Sequence, residues 1–96
     1  MTQPAPPQRV EIAEARLKRL SMRSWRRGTK EMDLILGPFA DAHLAGLSEP
    51  ELRAYDALLS ENDQDLYPWI TGAQGVPVEH ATLIARIGDF ARARLR

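Results

Sequence analysis

A chain of 96 residues with 44% hydrophobic side chains makes one small domain with a modest core and leaves no room for two. Its 13 basic and 13 acidic residues give a formal net charge of zero, which argues against general nucleic-acid binding, a property usually driven by a net excess of Lys and Arg. The absence of cysteine excludes a disulfide framework, a thiol nucleophile and any cysteine-based zinc or iron–sulfur site, and fits a reducing cytoplasm.

Residues 1–8 are Pro-rich (Pro4, Pro6, Pro7), lack the apolar core of a signal peptide, and read as a frayed tail ahead of a single domain over 9–96. A mitochondrial transit peptide is longer, Arg-rich and acid-poor, whereas Glu11 and Glu14 arrive at once, so a bacterial cytoplasmic protein is expected. No run of about 18 apolar residues exists to span a membrane.

Every segment that follows reads best as helix, and none shows sustained period-2 alternation. The first runs from about Val10 to Trp25, with Leu17 and Leu20 as core positions, and Gly28 interrupts the pattern. The second, about Thr29 to Leu44, places Met32, Ile35, Leu36, Phe39, Ala40, His43 and Leu44 on one face. Pro38 should kink or split it, and Gly46 is its candidate C-terminal cap. The third opens on Ser48-Glu49-Pro50-Glu51, a capping box, with Leu52, Tyr55, Leu58 and Leu59 facing inward. The fourth is short: Asn62 or Asp63 caps it, Leu66, Tyr67, Trp69 and Ile70 are its apolar content, and Gly72 and Gly75 end it. The fifth runs from about Val78 to Leu95 with Leu83, Ile84, Ile87, Phe90 and Ala91 on one face. The fold class is therefore all-α, a small bundle of five helices.

The charges are unevenly placed. Residues 1–31 carry eight basic and three acidic side chains, and residues 41–65 carry seven acidic ones and a single Arg53, so polar faces of opposite sign are expected.

Enzymatic constellations are nearly absent. There is no phosphate-cradling loop, and His43 and His80 lie far apart with no partner at metal-ligand spacing, so neither a catalytic nor a metal site is assigned. Asp63 and Asp65 suit the start of a helix better than acid–base work. The informative stretch is Arg26-Arg27-Gly28-Thr29-Lys30-Glu31. With Gly28 as N-cap, Glu31 falls at N3 and can reach back to it, so both have a local explanation. Arg27 has none: an exposed pair with Glu31 would contribute only about 0–1 kcal/mol. Two adjacent guanidinium groups beside Trp25 form a recognition element of the kind found at binding hot spots.

At these residues the sequence resembles the succinate dehydrogenase assembly factor 2 family (SdhE in bacteria). That family carries an Arg-Gly-x-x-Glu signature, matched here by Arg27-Gly28-Thr29-Lys30-Glu31, with the likeness running on through Met32-Asp33 to Pro38-Phe39. Asn62-Asp63-Gln64-Asp65-Leu66-Tyr67-Pro68-Trp69 is similar to the family's Asp-rich segment ending in aromatic-x-Trp, and segment order agrees from about Arg9 to Ile87. The resemblance implies a five-helix, non-catalytic assembly factor, expected to be monomeric. Such a protein binds the flavoprotein subunit of succinate dehydrogenase, and in some bacteria that of fumarate reductase. It promotes covalent attachment of FAD to a histidine of that subunit without binding FAD stably itself. It implies a partner-binding surface at Arg27, Gly28 and Glu31, to which Arg26, Asp63 and Trp69 are added as candidates. On this reading the Arg27 corner docks on the immature flavoprotein, Arg27 bonding client carboxylates or carbonyls, and holds it where attachment proceeds by itself. A regulatory interaction module, such as an antitoxin, needs only the same sticky helical surface and is the alternative. A DNA-binding domain is disfavoured by the acidic middle, and a flavin carrier by the lack of a dinucleotide fingerprint.

Overall fold

A computed structural model describes residues 11–94; the Pro-rich stretch 1–8 and the expected start of the domain at Arg9 lie outside the described residues. Five α-helices follow one another: α1 (Ala13–Trp25), α2 (Lys30–His43), α3 (Glu49–Leu59), α4 (Asp63–Thr71) and α5 (Ala81–Arg94). Single 3₁₀ turns, Leu44–Gly46 and Val78–His80, extend α2 and introduce α5. No strand occurs among the described residues, so the all-α, five-helix architecture stands.

The core follows helical periodicity. Leu20 of α1, Met32, Leu36, Phe39 and Ala40 of α2, Tyr55, Leu58 and Leu59 of α3, Leu66 and Ile70 of α4, and Leu83, Ile84 and Ile87 of α5 form one buried cluster. The three-and-four spacing keeps one stripe of each helix turned inward, and each side chain of this size stabilises by roughly 1.5–3 kcal/mol when buried. Leu17, Ile35, Leu52, Trp69 and Phe90 pack around its edge. Of the apolar residues of α4, Leu66 and Ile70 are buried, whereas Tyr67 is exposed.

Local signals at the helix ends were read with mixed success. The capping box of α3 is present in both halves, Glu51 N–H donating to Ser48 Oγ and Ser48 N–H donating to Glu51 Oε1 at 2.7 Å. Pro38 does not split α2, which runs unbroken across it. Lacking an N–H, Pro38 leaves the Leu34 carbonyl without its intrahelical donor, and an Arg94 guanidinium nitrogen lies 3.5 Å from that oxygen. Gly46 is not a left-handed cap but part of the 3₁₀ turn, whereas Gly72 caps α4 at φ +84°. Gly75 has no positive φ.

Much of the unevenly placed charge is paired within the domain. The basic face of α1 lies against the acidic face of α3, and the charges pair: Arg16 with Glu49 at 2.6 Å, Arg19 with Asp56 at 2.9 Å, and Arg23 with Asp56 at 2.6 Å. Arg19 also holds Glu11, and Arg86 of α5 reaches Glu51. Hydrogen bonds from Arg19 hold the Asp56 carboxyl below its ordinary value. Single pairs of this exposure stabilise by about 1 kcal/mol or less, but a shared carboxylate linking two arginines also fixes the rotation of α1 against α3.

Two packing details are specific. Ser24 and Tyr55 are fully buried and share a 2.7 Å hydrogen bond, with Ser24 Oγ donating onward to the Leu20 carbonyl. Because Ser24 donates to Leu20, Tyr55 is left to donate to Ser24. The Trp25 ring lies flat against Gly37 in mid-α2, where a Cβ would fall 2.3 Å from the ring, and the indole N–H donates to Asp41.

Burial pushes the Tyr55 phenol up to about 12. The folded value exceeds the ordinary value near 10, so the neutral phenol's contribution is intact below pH 10 and is lost as pH rises toward 12. At about 1.4 kcal/mol per pKa unit, denaturant unfolding at pH 11.5 should show roughly 2 kcal/mol less stability than at pH 9, and Tyr55→Phe should remove most of that slope. Gly37→Ala should displace the Trp25 ring. Overpacking of about 1–3 kcal/mol is offset in part by a gain of about 1 kcal/mol in helix propensity, leaving a small net loss. Tryptophan emission should shift to the red; emission identical to wild type would mean that the ring does not rest on Gly37.

Candidate functional site

The site is the corner between α1 and α2. α1 ends at Trp25 with Arg26 as its C-cap, Gly28 turns the chain in the left-handed region at φ +105°, and Thr29 caps α2. The N-cap is thus Thr29 and not Gly28, its Oγ accepting from Met32 N–H, which places Glu31 at N2 and leaves it free of the reach-back bond expected at N3. A Cβ at Gly28 would meet nothing within 4 Å, so glycine is required there by backbone conformation and not by crowding.

Arg27 turns inward, contrary to the docking role expected of it. Its side chain is only 10% exposed; Nε donates to Asp63 Oδ1 at 2.8 Å, one terminal nitrogen to the Leu59 carbonyl, and the other to the Glu61 carbonyl at 2.6 Å. Leu59 closes α3 and Asp63 opens α4. One guanidinium therefore satisfies an orphan carbonyl at a helix C-terminus and neutralises a carboxylate at the next helix's start, bridging two helix ends of opposite dipole sign. The backbone joins in: Arg27 N–H donates to Asp33 Oδ1 at 2.6 Å, and Thr29 Oγ1 lies 3.3 Å from Asp63 Oδ2.

The sequence candidates therefore divide. Arg27 and Asp63 form an internal clamp. Trp69 is half-buried against the core, its ring 5.7 Å from that of His80. Arg26, Gly28 and Glu31 are exposed, and neither Arg26 nor Glu31 has a hydrogen-bond or ion-pair partner among the described residues. Asp33, the acceptor for Arg27 N–H, was not singled out from sequence; an Asp at N4 of a helix gives no sign that it reaches back past the cap. Tyr67, part of the apolar content of α4, lines an open hollow with Thr29, Glu31 and Met32.

The histidines hold structural positions. His43 packs between Phe39 and Phe90, with ring centroids 5.1 and 5.2 Å away. His80 is buried and bonds Glu61 Oε2 through Nε2 at 2.8 Å, tying the turn before α5 to the residue whose carbonyl Arg27 holds. Among the described residues no three His, Asp or Glu side chains converge to hold a metal ion.

Comparison with known proteins agrees with the motif. A family model described as "flavinator of succinate dehydrogenase" matches residues 18–91. The chain belongs to this family. Its relatives include mitochondrial succinate dehydrogenase assembly factor 2 of Candida glabrata, 43% identical over 84% of this chain and 56% of the relative. The counterpart from Dictyostelium discoideum is 39% identical over 80% of this chain and 54% of the relative, and assembly factor 2-A of Drosophila yakuba is 39% identical over 80% and 49%. The chain spans about half the length of these relatives. The matched stretch includes the whole clamp and the corner it supports.

Arg27→Ala should leave two carbonyls and the Asp63 carboxylate without their donor, a loss of about 2–4 kcal/mol and a fall in melting temperature of about 10 °C or more. Arg27→Lys should lie between, since one ammonium cannot serve three separated acceptors. Thermal melting followed by circular dichroism checks both, and a wild-type melting curve for Arg27→Ala would show that the clamp does not hold the helix ends.

Proposed function

We propose that this chain is a non-catalytic assembly factor that binds the flavoprotein subunit of succinate dehydrogenase and promotes the covalent attachment of FAD to it, with the fumarate reductase flavoprotein as a second client. The observation that carries the reading is the exposed Arg26–Gly28–Glu31 corner held rigid by the Arg27 clamp, in a chain whose residues 18–91 match the flavinator family.

What the corner supplies is binding energy in a fixed geometry. Arg26 presents guanidinium donors with no partner among the described residues, Glu31 presents a carboxylate, and the bare turn at Gly28 lets a client backbone come close. The flavin belongs to the client. A helper that binds one client conformation about 1.4 kcal/mol better than the others raises its population tenfold relative to them, with no chemical step of its own. The chain acts as a monomer in this reading, without nucleic acid, and in the bacterial cytoplasm; its named relatives are mitochondrial, and no described helix is long and apolar enough to cross a membrane.

The flavoprotein should be expressed with and without this chain, denatured, and the flavin fluorescence remaining with the polypeptide measured on a gel. Wild type should give a strong signal. Arg26→Ala and Glu31→Ala should each reduce it at least fivefold while melting as wild type does, because neither residue is bonded within the described domain. Signal at the wild-type level in the Arg26→Ala, Glu31→Ala double variant would refute the assignment of the corner.

A further inference from the structure

We infer that the groove running from the corner between α2 and α4 to α5 receives an apolar side chain of the client that stands next to a lysine or arginine. This rests on the flavoprotein being the client and specifies the chemistry by which it is recognised.

Two hollows make up the groove. One lies beside Glu31, Met32 and Tyr67, with a volume of about 330 Å³, and the next lies beside Leu34, Ile35 and Ala91, with a volume of about 340 Å³. Glu31 and Tyr67 line both, so the two hollows adjoin there. Each is large enough for a bulky apolar side chain.

Leu34 and Tyr67 are 49% and 44% exposed, large apolar side chains on neighbouring helices that open on the same hollow. A helix of a small domain gains nothing by turning both to water, and a paired exposed apolar patch at a concavity marks a binding surface. Trp25, by contrast, rests on Gly37, and the exposed Met22 opens on a separate hollow along α1 whose charged lining is basic, Lys18, Arg19, Arg23 and Arg26.

The rim gives the second half of the recognition. Glu31 has no partner among the described residues, and the nearby Asp63 carboxylate is already engaged by Arg27 and Thr29. At the corner end, where no Lys or Arg lines the hollow, the open charge is therefore negative and asks for a cation. At the far end Arg94 lies by the Leu34 carbonyl and over the Phe90 ring, which closes the groove toward α5. The groove is also continuous with the corner, because Thr29 and Glu31 belong to both, so a client segment reaching Gly28 runs directly into it.

The test measures binding of purified full-length chain to the purified flavoprotein subunit by calorimetry, alongside flavin attachment on co-expression. Leu34→Gln and Tyr67→Ala should each weaken binding about tenfold with melting unchanged, since both residues are half-exposed. Glu31→Gln should weaken it similarly and flatten the loss of affinity that wild type shows between 50 and 500 mM salt, the sign of a client cation. If wild type binds and flavinylates while the Leu34→Gln and Tyr67→Ala variants bind equally well, the groove assignment is overturned and the proposed function stands; a Glu31→Gln variant with the wild-type salt dependence would overturn the client cation. If wild type neither binds nor flavinylates, both fall. Sedimentation of the chain alone showing a dimer that Leu34→Gln dissociates would give the groove to a second copy and overturn the inference.

Discussion

Three acceptors converge on the Arg27 guanidinium, and the arrangement of the site follows from that convergence. The Leu59 and Glu61 carbonyls and the Asp63 carboxylate come from the turn between α3 and α4, more than 30 residues away in sequence. Helix ends leave carbonyls unsatisfied, and a turn between two helices brings a negative dipole end and a positive one close together. A planar, permanently charged fork suits such a place better than any other side chain, because it can serve separate acceptors at fixed angles. The connection between α1 and α2 is thereby pinned to the connection between α3 and α4, and Asp33 secures the same residue through its backbone N–H.

With Arg27 turned inward, the roles within the signature separate. Arg27 determines where the corner stands, Gly28 sets its direction, and Arg26 and Glu31 remain exposed. A loop held at one point can pivot, whereas this one is held through a side chain and a main chain on either side of the same Cα. The α1–α3 ion pairs serve a related end: Asp56 accepts from both Arg19 and Arg23, fixing how α1 lies along α3 and therefore the angle at which its C-terminal residue arrives at the corner.

Much of the fold was legible because its determinants are local. The spacing of Met32, Leu36 and Phe39 or of Leu83, Ile84 and Ile87 is a property of ten consecutive residues, and the capping box of α3 of four. The partner of Arg27 was not legible for the opposite reason. From sequence, its nearest candidate was Glu31, and only the packing of α4 beside the corner brings Asp63 within reach. The pairing of charges was hidden in the same way: only when α1 and α3 are placed side by side do Arg16, Arg19 and Arg23 meet Glu49 and Asp56. The nine residues of α4 give too few turns to separate the buried Leu66 and Ile70 from the exposed Tyr67. The signature itself was recognisable, yet recognition alone does not separate a residue that touches a partner from one that shapes the residues that do.

That separation has an energetic consequence. A flexible recognition loop loses conformational freedom on binding at about 1–2 kcal/mol per ordered residue, which subtracts directly from affinity. Here the ordering has already happened during folding, because the internal hydrogen bonds of Arg27, Thr29 and Asp33 fix the corner before any partner arrives. Gly28 fits this account: nothing surrounds the position of its missing Cβ, so its value lies in a backbone angle that other residues adopt only under strain. A side chain there would change the direction in which Arg26 and Glu31 point relative to each other while leaving the core untouched. A domain this small has little stability to spare, and it places its best-bonded polar cluster directly beneath the surface that has to keep its shape.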